Sequence, residues 1–153
     1  MRVTAKADYA VRAVAELAAA EGDGPVKGEQ IATAQDIPLK FLENILSELR
    51  ASGIVASRRG SDGGYWLDRP AAEITVADVM RAVEGPLASI RGTGPERLSY
   101  DGAAAALPQM WVALRASLRT VLEHVTLADL ASGELPSEVA ALTEDPDAWV
   151  KHC

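Results

Sequence analysis

The most constraining feature of the sequence is an apolar periodicity between Pro38 and Gly53. Four apolar residues follow the i, i+3, i+4, i+7 spacing of one helix face: Leu42, Ile45, Leu46 and Leu49. Proline suits the first turn of a helix, and glycine suits the position just after the last turn. The pattern predicts a helix over residues 38–52 with one face in a core. The opposite face carries polar side chains: Lys40, Glu43, Asn44 and Ser47.

Two shorter helical patterns precede this helix. Apolar residues at helical spacing predict a first helix over residues 8–21, which Gly22 and Pro25 then end. A second, short helix is expected within residues 28–34, and its connection to Pro38 is tight. A short helix, a tight turn and the helix that begins at Pro38 together predict a helix-turn-helix.

A β-hairpin is predicted directly after the third helix. Residues 54–57 and 65–67 have the composition of strands, and a glycine-rich turn over residues 60–64 separates them. Such a hairpin would form a wing beside the helix-turn-helix, with Arg58 and Arg59 on it. Thr75 then predicts the start of a fourth helix, which Gly85 ends.

The second half of the chain has a different organisation. Residues 85–102 lack periodicity and are rich in glycine, proline and polar residues, which predicts a loop. A long helix is expected over residues 103–125, because apolar residues from Leu107 onward alternate at spacings of four and three. This heptad pattern predicts a dimer interface made by Trp111, Leu114, Leu118, Val121 and Val125. Trp111 has an alternative role in lining a pocket under the loop.

These elements predict a mostly α fold with a small β-hairpin, divided into four segments. Residues 1–84 form a winged helix-turn-helix DNA-binding domain, and residues 85–102 form a sensor-type loop or linker. Residues 103–132 form the dimerisation helix and a cap that begins at Thr126. Residues 133–153 form a C-terminal tail, which is expected to pack loosely.

The net charge of −7, from 15 basic and 22 acidic side chains, argues against nucleic acid when it is taken as a sum. The charge is unevenly distributed, however. Residues 1–70 hold nine basic and ten acidic side chains, whereas residues 71–153 hold six and twelve. The nearly neutral first half therefore remains compatible with DNA binding.

Several classes of function lack their residues in this sequence. No nucleophile and base pair, glycine-rich phosphate loop, carboxylate cluster or metal quartet is apparent, so an enzyme is not expected. The single cysteine, Cys153, excludes an internal disulfide framework and favours a cytoplasmic location. No apolar run approaches the ~20 residues that span a bilayer, so no membrane partner is expected.

The polar face of the third helix has the chemistry that base recognition needs. Asparagine pairs with adenine, glutamate accepts a hydrogen bond from cytosine N4, and lysine reaches guanine or phosphate. On the hairpin, Arg58 and Arg59 can enter a minor groove or bind phosphate, while Gly63 and Gly64 let the backbone approach closely. The alternatives are an ordinary solvated helix face and an ordinary hairpin turn; the combination of the two elements favours DNA.

A series of motifs in order resembles the IscR/NsrR/CymR (Rrf-two type) family of bacterial winged-helix regulators. The matching residues are MRVTAK at 1–6, YAV at 9–11, FLENILSELR at 41–50, Arg59 Gly60, Gly63 Gly64 Tyr65, Ile74 Thr75, Asp78 Val79, Trp111 and TLADL at 126–130. The resemblance implies a homodimer, crossed through the long helix, on a pseudo-palindromic double-stranded DNA operator. By position, it implies that Lys40, Glu43 and Asn44 face bases, that Arg59 lies in the wing, and that Thr4, Lys6, Tyr9 and Arg58 hold phosphates.

The resemblance also raises the question of a cofactor. Many members of that family bind an iron–sulfur cluster through three cysteines in the loop before the long helix, sometimes with a histidine or an acidic residue on the first helix. The loop here has no cysteine, Asp8 stands where the acidic ligand occurs, and Arg12 stands where some members have histidine. No cofactor is therefore predicted. Asp8, His152 and Cys153 are only weak candidates for metal ligands.

The sequence leads to one main hypothesis and two alternatives. The main hypothesis is a homodimeric, sequence-specific DNA-binding repressor without a cluster, with sulfur or cysteine metabolism as the suggested pathway. The alternatives are a dimeric protein-interaction module that has lost operator binding, and a regulator whose cluster or metal uses ligands other than cysteine. A small-molecule or protein effector is left open. For an anionic effector the candidate residues are arginines, which are otherwise solvated or salt-bridged: Arg91, Arg97, Arg115 and Arg119.

Overall fold

The computed structural model describes residues 1–152 and consists of helices with one small sheet. The helices are α1 (Ala5–Ala19), α2 (Gly28–Gln35), α3 (Leu39–Ala51), α4 (Val76–Glu84), α5 (Leu107–Leu122), α6 (Leu127–Ser132) and α7 (Ser137–Ala141). Strands β1 (Val55–Arg58) and β2 (Gly64–Leu67) pair as an antiparallel hairpin. Single 3₁₀ turns cover Ala71–Glu73, Pro95–Arg97, Gly102–Ala104 and Pro146–Trp149. This architecture confirms the expected class of fold.

Helix α1 lies at the centre of the main hydrophobic core. It contacts α2, α3, α4, α6 and β2. Its buried residues are mostly small: Ala7, Ala10, Ala13, Val14, Leu17 and Ala18. Small side chains let several neighbouring elements approach one helix closely, because close packing leaves no room for unfilled space. The helix begins at Ala5, three residues earlier than predicted, because the Thr4 hydroxyl accepts a hydrogen bond from the Ala7 N–H at 3.0 Å.

The helix-turn-helix is formed by α2 and α3. The predicted core face of α3 is confirmed, since Leu42, Ile45, Leu46 and Leu49 are all buried. The turn between the two helices passes through Asp36, which has a left-handed backbone with φ +50°, and through the buried Ile37. Packing of Leu42 and its partners against the core therefore leaves the polar side of α3 in solvent.

In the wing, β1 lies one residue later than predicted and β2 begins one residue earlier. One edge of the wing is tied to Val26, just before α2. Tyr65 exchanges two backbone hydrogen bonds with Val26, both at 2.8 Å. Gly64 enables this contact, because it has a φ of +148° and a Cβ there would lie 2.6 Å from the Val26 carbonyl oxygen. The glycine is thus required by the docking of the wing itself.

Helices α4 and α6 begin side by side. The hydroxyls of Thr75 and Thr126 each accept a hydrogen bond from the N–H three residues later, and each helix has a capping box. The Val76 N–H donates to the Val125 carbonyl and the Leu127 N–H to the Ile74 carbonyl, both at 2.9 Å. Leu127 is fully buried in the core around α1. The predicted segment 103–132 is therefore not one unit, because α6 belongs to the main core.

The long helix α5 begins at Leu107 rather than near residue 103, after the 3₁₀ turn Gly102–Ala104. None of its 16 residues is buried. Val125 lies beyond the end of the helix and is buried with Val76 and Val139 in a second small core. The expectation that Val125 forms part of a dimer seam is therefore wrong, because its side chain is covered by its own chain.

The C-terminal tail is more ordered than predicted. Residues 137–141 form α7, and the buried Val139 anchors that helix to Val76 and Val125. Farther along, Trp149 is 76% exposed, although its indole N–H donates to the Thr143 carbonyl at 2.8 Å. The loosely packed part of the tail is therefore limited to the residues after α7. Cys153 lies outside the described residues.

Two glycine substitutions test how the wing is docked. Gly64→Ala is expected to lower the free energy of unfolding by about 3 kcal/mol, because it combines an unfavourable φ with a backbone overlap against Val26. Gly60→Ala is the matched control, since Gly60 has a φ of +105° but nothing within 4 Å of an added Cβ. It should cost only about 1 kcal/mol. Urea denaturation measures both values, and equal losses would contradict the close approach.

Candidate nucleic-acid interface

The exposed side of α3 forms a continuous polar face, here called the base-reading face, made of Lys40, Glu43, Asn44 and Ser47. All four residues are exposed. Within residues 1–152, no intramolecular hydrogen bond or ion pair engages the side chains of Lys40, Glu43 or Asn44. These groups retain their full hydrogen-bonding capacity for a ligand. The helix supports them rigidly through its buried opposite face.

The wing places a second basic group beside this face. Arg59 lies at the exposed end of the hairpin, and within the described residues its guanidinium makes no intramolecular hydrogen bond. Arg58, in contrast, donates to the Asp62 carbonyl at 3.1 Å and so braces the turn of the hairpin. A Cβ on Gly63 would lie 2.0 Å from the Arg58 carbonyl oxygen. Gly63 is therefore required by the turn of the hairpin itself, independently of any contact with a DNA backbone.

The wing and the base-reading face border one groove of about 370 Å³. Its walls include Glu43 of α3, Arg59 of the wing and Lys27 at the start of α2. The Lys27 ammonium donates to the Gly60 carbonyl at 2.7 Å, and Arg50 donates to the Ser57 hydroxyl at 3.0 Å. These two bonds fix the spacing between helix and hairpin, so the groups that line the groove are pre-positioned.

The residues expected to hold phosphates are already engaged within the chain. The Thr4 hydroxyl caps α1 and also donates to the Glu84 carboxylate. Lys6 forms an ion pair with Glu48 of α3 at 2.8 Å, and the ring of Tyr9 is half-buried. Arg58 is bonded to Asp62. All four therefore brace α1, α3 and the wing in the free protein, and Lys40 and Arg59 are the cations of the predicted set that stay unpaired within the described residues.

The structure adds Phe41 to the surface that carries the base-reading face. This residue is 49% exposed and its ring packs edge-on against Tyr9, with ring centroids 6.0 Å apart and an interplanar angle of 82°. Sequence reasoning passed over Phe41 because it stands next to the buried Leu42. Because Phe41 lies off the apolar i, i+3, i+4, i+7 stripe, the sequence alone already indicated that its ring is not part of the buried face of α3.

Asp8 and Arg12, which occupy the positions of family ligands, are bonded to each other. The Arg12 guanidinium contacts the Asp8 carboxylate at 3.0 Å and donates to the carbonyl of Gln35, the last residue of α2, at 2.7 Å. It also lies 4.9 Å from the centroid of the Tyr9 ring. An arginine in this position supplies donors only, so it cannot bind a metal cation and it competes for the carboxylate.

The loop before α5 is likewise held by contacts within the chain. Glu96 accepts a hydrogen bond from Arg115 of α5 at 2.6 Å, and the buried Pro95 anchors the same 3₁₀ turn. The backbone N–H of Glu96 and the Arg115 guanidinium hold the pKa of Glu96 below its ordinary value. The loop is therefore tied to the helix by an ion pair.

Three of the other candidate ligands for a metal or an anion are also paired. His152 contacts Asp147 at 3.2 Å, Arg119 contacts Glu123 at 3.6 Å, and Arg91 lies 3.4 Å from the Tyr100 hydroxyl. No three His, Cys, Asp or Glu side chains converge as a metal site within residues 1–152. An iron–sulfur cluster requires several thiolate or comparable ligands, so the donor set of this chain does not fit one.

Helix-turn-helix, wing and exposed polar face together define a winged-helix DNA-binding protein. A profile of the Rrf2 family, described as an iron-dependent transcriptional regulator, matches residues 3–133. The chain is 52% identical over 145 residues to a candidate HTH-type transcriptional regulator of Mycobacterium tuberculosis strain H37Rv, covering 95% of this chain and 90% of that protein. It is 37% identical over 140 residues to the transcriptional regulator IscR of Yersinia pestis, covering 92% and 85%.

Solved structures agree with these sequence relatives. CymR, the global cysteine regulator of B. subtilis, superposes with a TM-score of 0.74 at 32% identity, over 87% of this chain and 98% of that chain. IscR of T. potens superposes with a TM-score of 0.69 at 30% identity, over 100% and 94%. The chain belongs to the Rrf2 family and is a DNA-binding transcriptional regulator, not an enzyme. Among residues 1–152, no helix combines the length and apolarity needed to cross a membrane.

The donor set generates a prediction about iron, because the family profile is described as iron-dependent. Protein purified without oxygen is expected to contain less than stoichiometric iron and to show no visible absorption band, since thiolate ligands are absent from the loop. Elemental analysis and absorption spectroscopy measure this. One or more iron atoms per chain with a visible charge-transfer band would contradict it.

Proposed function

We propose that this regulator is a homodimeric repressor that binds a double-stranded DNA operator through α3 and the wing, without an iron–sulfur cluster. The observation that carries the proposal is that the exposed face of α3 (Lys40, Glu43 and Asn44) and Arg59 of the wing are unpaired within the described residues, with Glu43 and Arg59 lining one groove. Buried or paired side chains would have to break contacts before reaching a base, whereas these do not. Lys40, Glu43 and Asn44 contact base edges in the major groove, and Arg59 inserts beside them from the wing.

In this proposal the bracing residues have a secondary role at the DNA backbone. Lys6 exchanges its ion pair with Glu48 for a phosphate, while Thr4, Tyr9 and Arg58 approach phosphates through groups left over from their internal contacts. Gly63 and Gly64 keep the wing narrow enough to follow a groove. Residues 1–84 then act as the DNA-binding part, with α6 packed against it, and residues 85–102 act as the connecting loop.

The dimer is proposed to form through α5. A 16-residue helix with no buried residue gains little from its own chain, because an amphipathic helix depends on burial of one face for its stability. Trp111, Leu114, Leu118 and Val121 line one side of α5 and are half-exposed. Met110 adjoins this side with a 46% exposed apolar side chain, and Val112, 38% exposed, lies on the other side of the helix. A second copy of the chain supplies the missing cover and sets the spacing of two base-reading faces.

The proposal also includes a pathway and a cellular location. CymR of B. subtilis is named as a cysteine regulator, which supports sulfur metabolism as the pathway to examine first. A cytoplasmic location follows from a DNA partner. The arginines considered for an anionic effector are largely engaged in ion pairs or hydrogen bonds, and a protein effector is compatible with the same contacts.

Removal of the wing cation tests DNA recognition. Arg59→Ala is expected to weaken binding to a duplex selected by the wild-type protein by about 1 to 3 kcal/mol. It should also reduce the slope of log affinity against log salt concentration by about one. Fluorescence anisotropy at several salt concentrations measures both effects. Arg69→Ala is the matched control, because Arg69 is exposed beyond the hairpin. Affinity that is indifferent to salt and to Arg59 would instead favour a protein-interaction module.

A charge on α5 tests the dimer. Leu114→Glu is expected to shift the molar mass in light scattering from a dimer towards the 16.1 kDa monomer, because a carboxylate cannot be buried in an apolar interface without a partner. DNA affinity should fall in parallel. Gln109→Glu introduces the same charge at an exposed position of the same helix and should leave the mass unchanged. A monomeric wild-type protein in solution would contradict the proposed interface.

A further inference from the structure

Phe41 is an exposed aromatic ring on a helix whose other exposed side chains are mostly polar. It belongs to the first turn of α3, next to Lys40, and 49% of its surface remains accessible to solvent. Keeping a large apolar ring in water is unfavourable in proportion to the exposed area. The ring therefore gains free energy from any apolar group that covers it when a ligand binds.

The ring is held in place by a stack of side chains from α1. Tyr9 contacts it edge-on at 6.0 Å, and Arg12 lies over the Tyr9 ring at 4.9 Å. Arg12 is fixed in turn by Asp8 and by the carbonyl of Gln35 at the end of α2. The contact with Tyr9 restrains the Phe41 ring before any ligand arrives, which reduces the conformational entropy lost when the ring makes a contact.

The position of Phe41 determines which apolar group it can meet. The first residues of a recognition helix lie closest to base edges in the major groove. In that groove the apolar group offered by the bases is the 5-methyl of thymine, and phenylalanine is one of the side chains that contact it. We propose that Phe41 is a specificity residue that packs against a thymine methyl group in each half of the bound DNA. This inference rests on the proposed DNA-binding function of α3.

Its surroundings favour DNA over a second copy of the chain as the group that covers Phe41. On the same helix the polar Asn44 lies one turn along from Phe41, Lys40 and Glu43 are exposed close by in sequence, and Leu39 is a smaller exposed apolar side chain at 36%. A protein interface instead concentrates apolar residues at its centre, and exposed apolar residues of that kind, including Met110 and Val112, lie on α5. Phe41 therefore borders the base-reading face at Asn44 and is separate in sequence from the proposed dimer helix.

The test uses uracil, which differs from thymine only by the missing methyl group. Duplexes with the highest affinity are first selected from a random-sequence pool by the wild-type protein. The selected duplex is then synthesised with deoxyuridine in place of thymidine, one symmetric pair of positions at a time. Binding of each duplex is measured by fluorescence anisotropy. Because base pairing is unchanged, any loss of affinity reports on the methyl group.

We expect one symmetric pair of uracils to weaken wild-type binding by about fourfold per methyl group, the size of the effect of burying one methylene. Phe41→Ala should bind the thymine and uracil duplexes equally, and Phe41→Leu should retain part of the difference. Trp149→Ala, which removes an exposed aromatic ring from the tail, should keep the full wild-type difference. Thermal unfolding of each variant checks that the fold is retained.

Three results would overturn the inference, and they are distinguishable. An enriched duplex with no uracil-sensitive position would exclude a methyl contact while leaving the proposed function intact. A folded Phe41→Ala variant that keeps the full difference between thymine and uracil would assign the methyl contact to another residue. A pool without any enriched sequence would contradict the proposed function itself, and the role of Phe41 with it.

Discussion

The structure depends on the burial of α1. This helix contacts both helices of the helix-turn-helix, the wing strand β2, α4 and α6, so α3 and the wing are both positioned against it. Fully buried alanines, Ala10 and Ala13, make such a crowded arrangement sterically feasible. Polar and aromatic side chains of α1 also hold α3 in place. Lys6 forms an ion pair with Glu48 of α3, and Tyr9 packs against Phe41. Disturbing α1 would therefore displace the base-reading face without touching it.

Internal ion pairs with arginine occupy two carboxylates that were considered as ligands or that lie in the loop before α5. At the position of an acidic family ligand, Asp8 is bound by Arg12, and in the loop before α5, Glu96 is bound by Arg115. Arginine brings fixed donors and no acceptor, so each pair occupies a carboxylate that is then not free to hold a cation. The profile that identifies the family is described as iron-dependent, yet the donor set of this chain does not fit a cluster. Family membership thus fixes the fold and the DNA-binding role more firmly than it fixes the sensor.

Much of the fold followed from local patterns. The face of α3 that carries Leu42 and Leu49, the capping residues Thr75 and Thr126, and the hairpin to within one residue were all predictable, because each depends on neighbours in sequence. The heptad spacing was less reliable. It extended the helix to residues 103–125 and included Val125, whereas the helix covers Leu107–Leu122 and Val125 packs on Val76 and Val139. Periodicity cannot say whether an apolar side chain faces its own chain or another one.

The sequence by itself determined the class of fold and the residue types available for base recognition, because periodicity, capping and turn chemistry are local properties of the chain. Only the tertiary structure decided which of those residues are available. Lys6, Thr4 and Arg58 proved to be engaged in bracing contacts, whereas Lys40 and Arg59 are unpaired within residues 1–152. It also brought Phe41, Tyr9 and Arg12 into one stack. The physical reason is that pairing and stacking depend on contacts between residues distant in sequence, which are made only when α1 packs against α2 and α3.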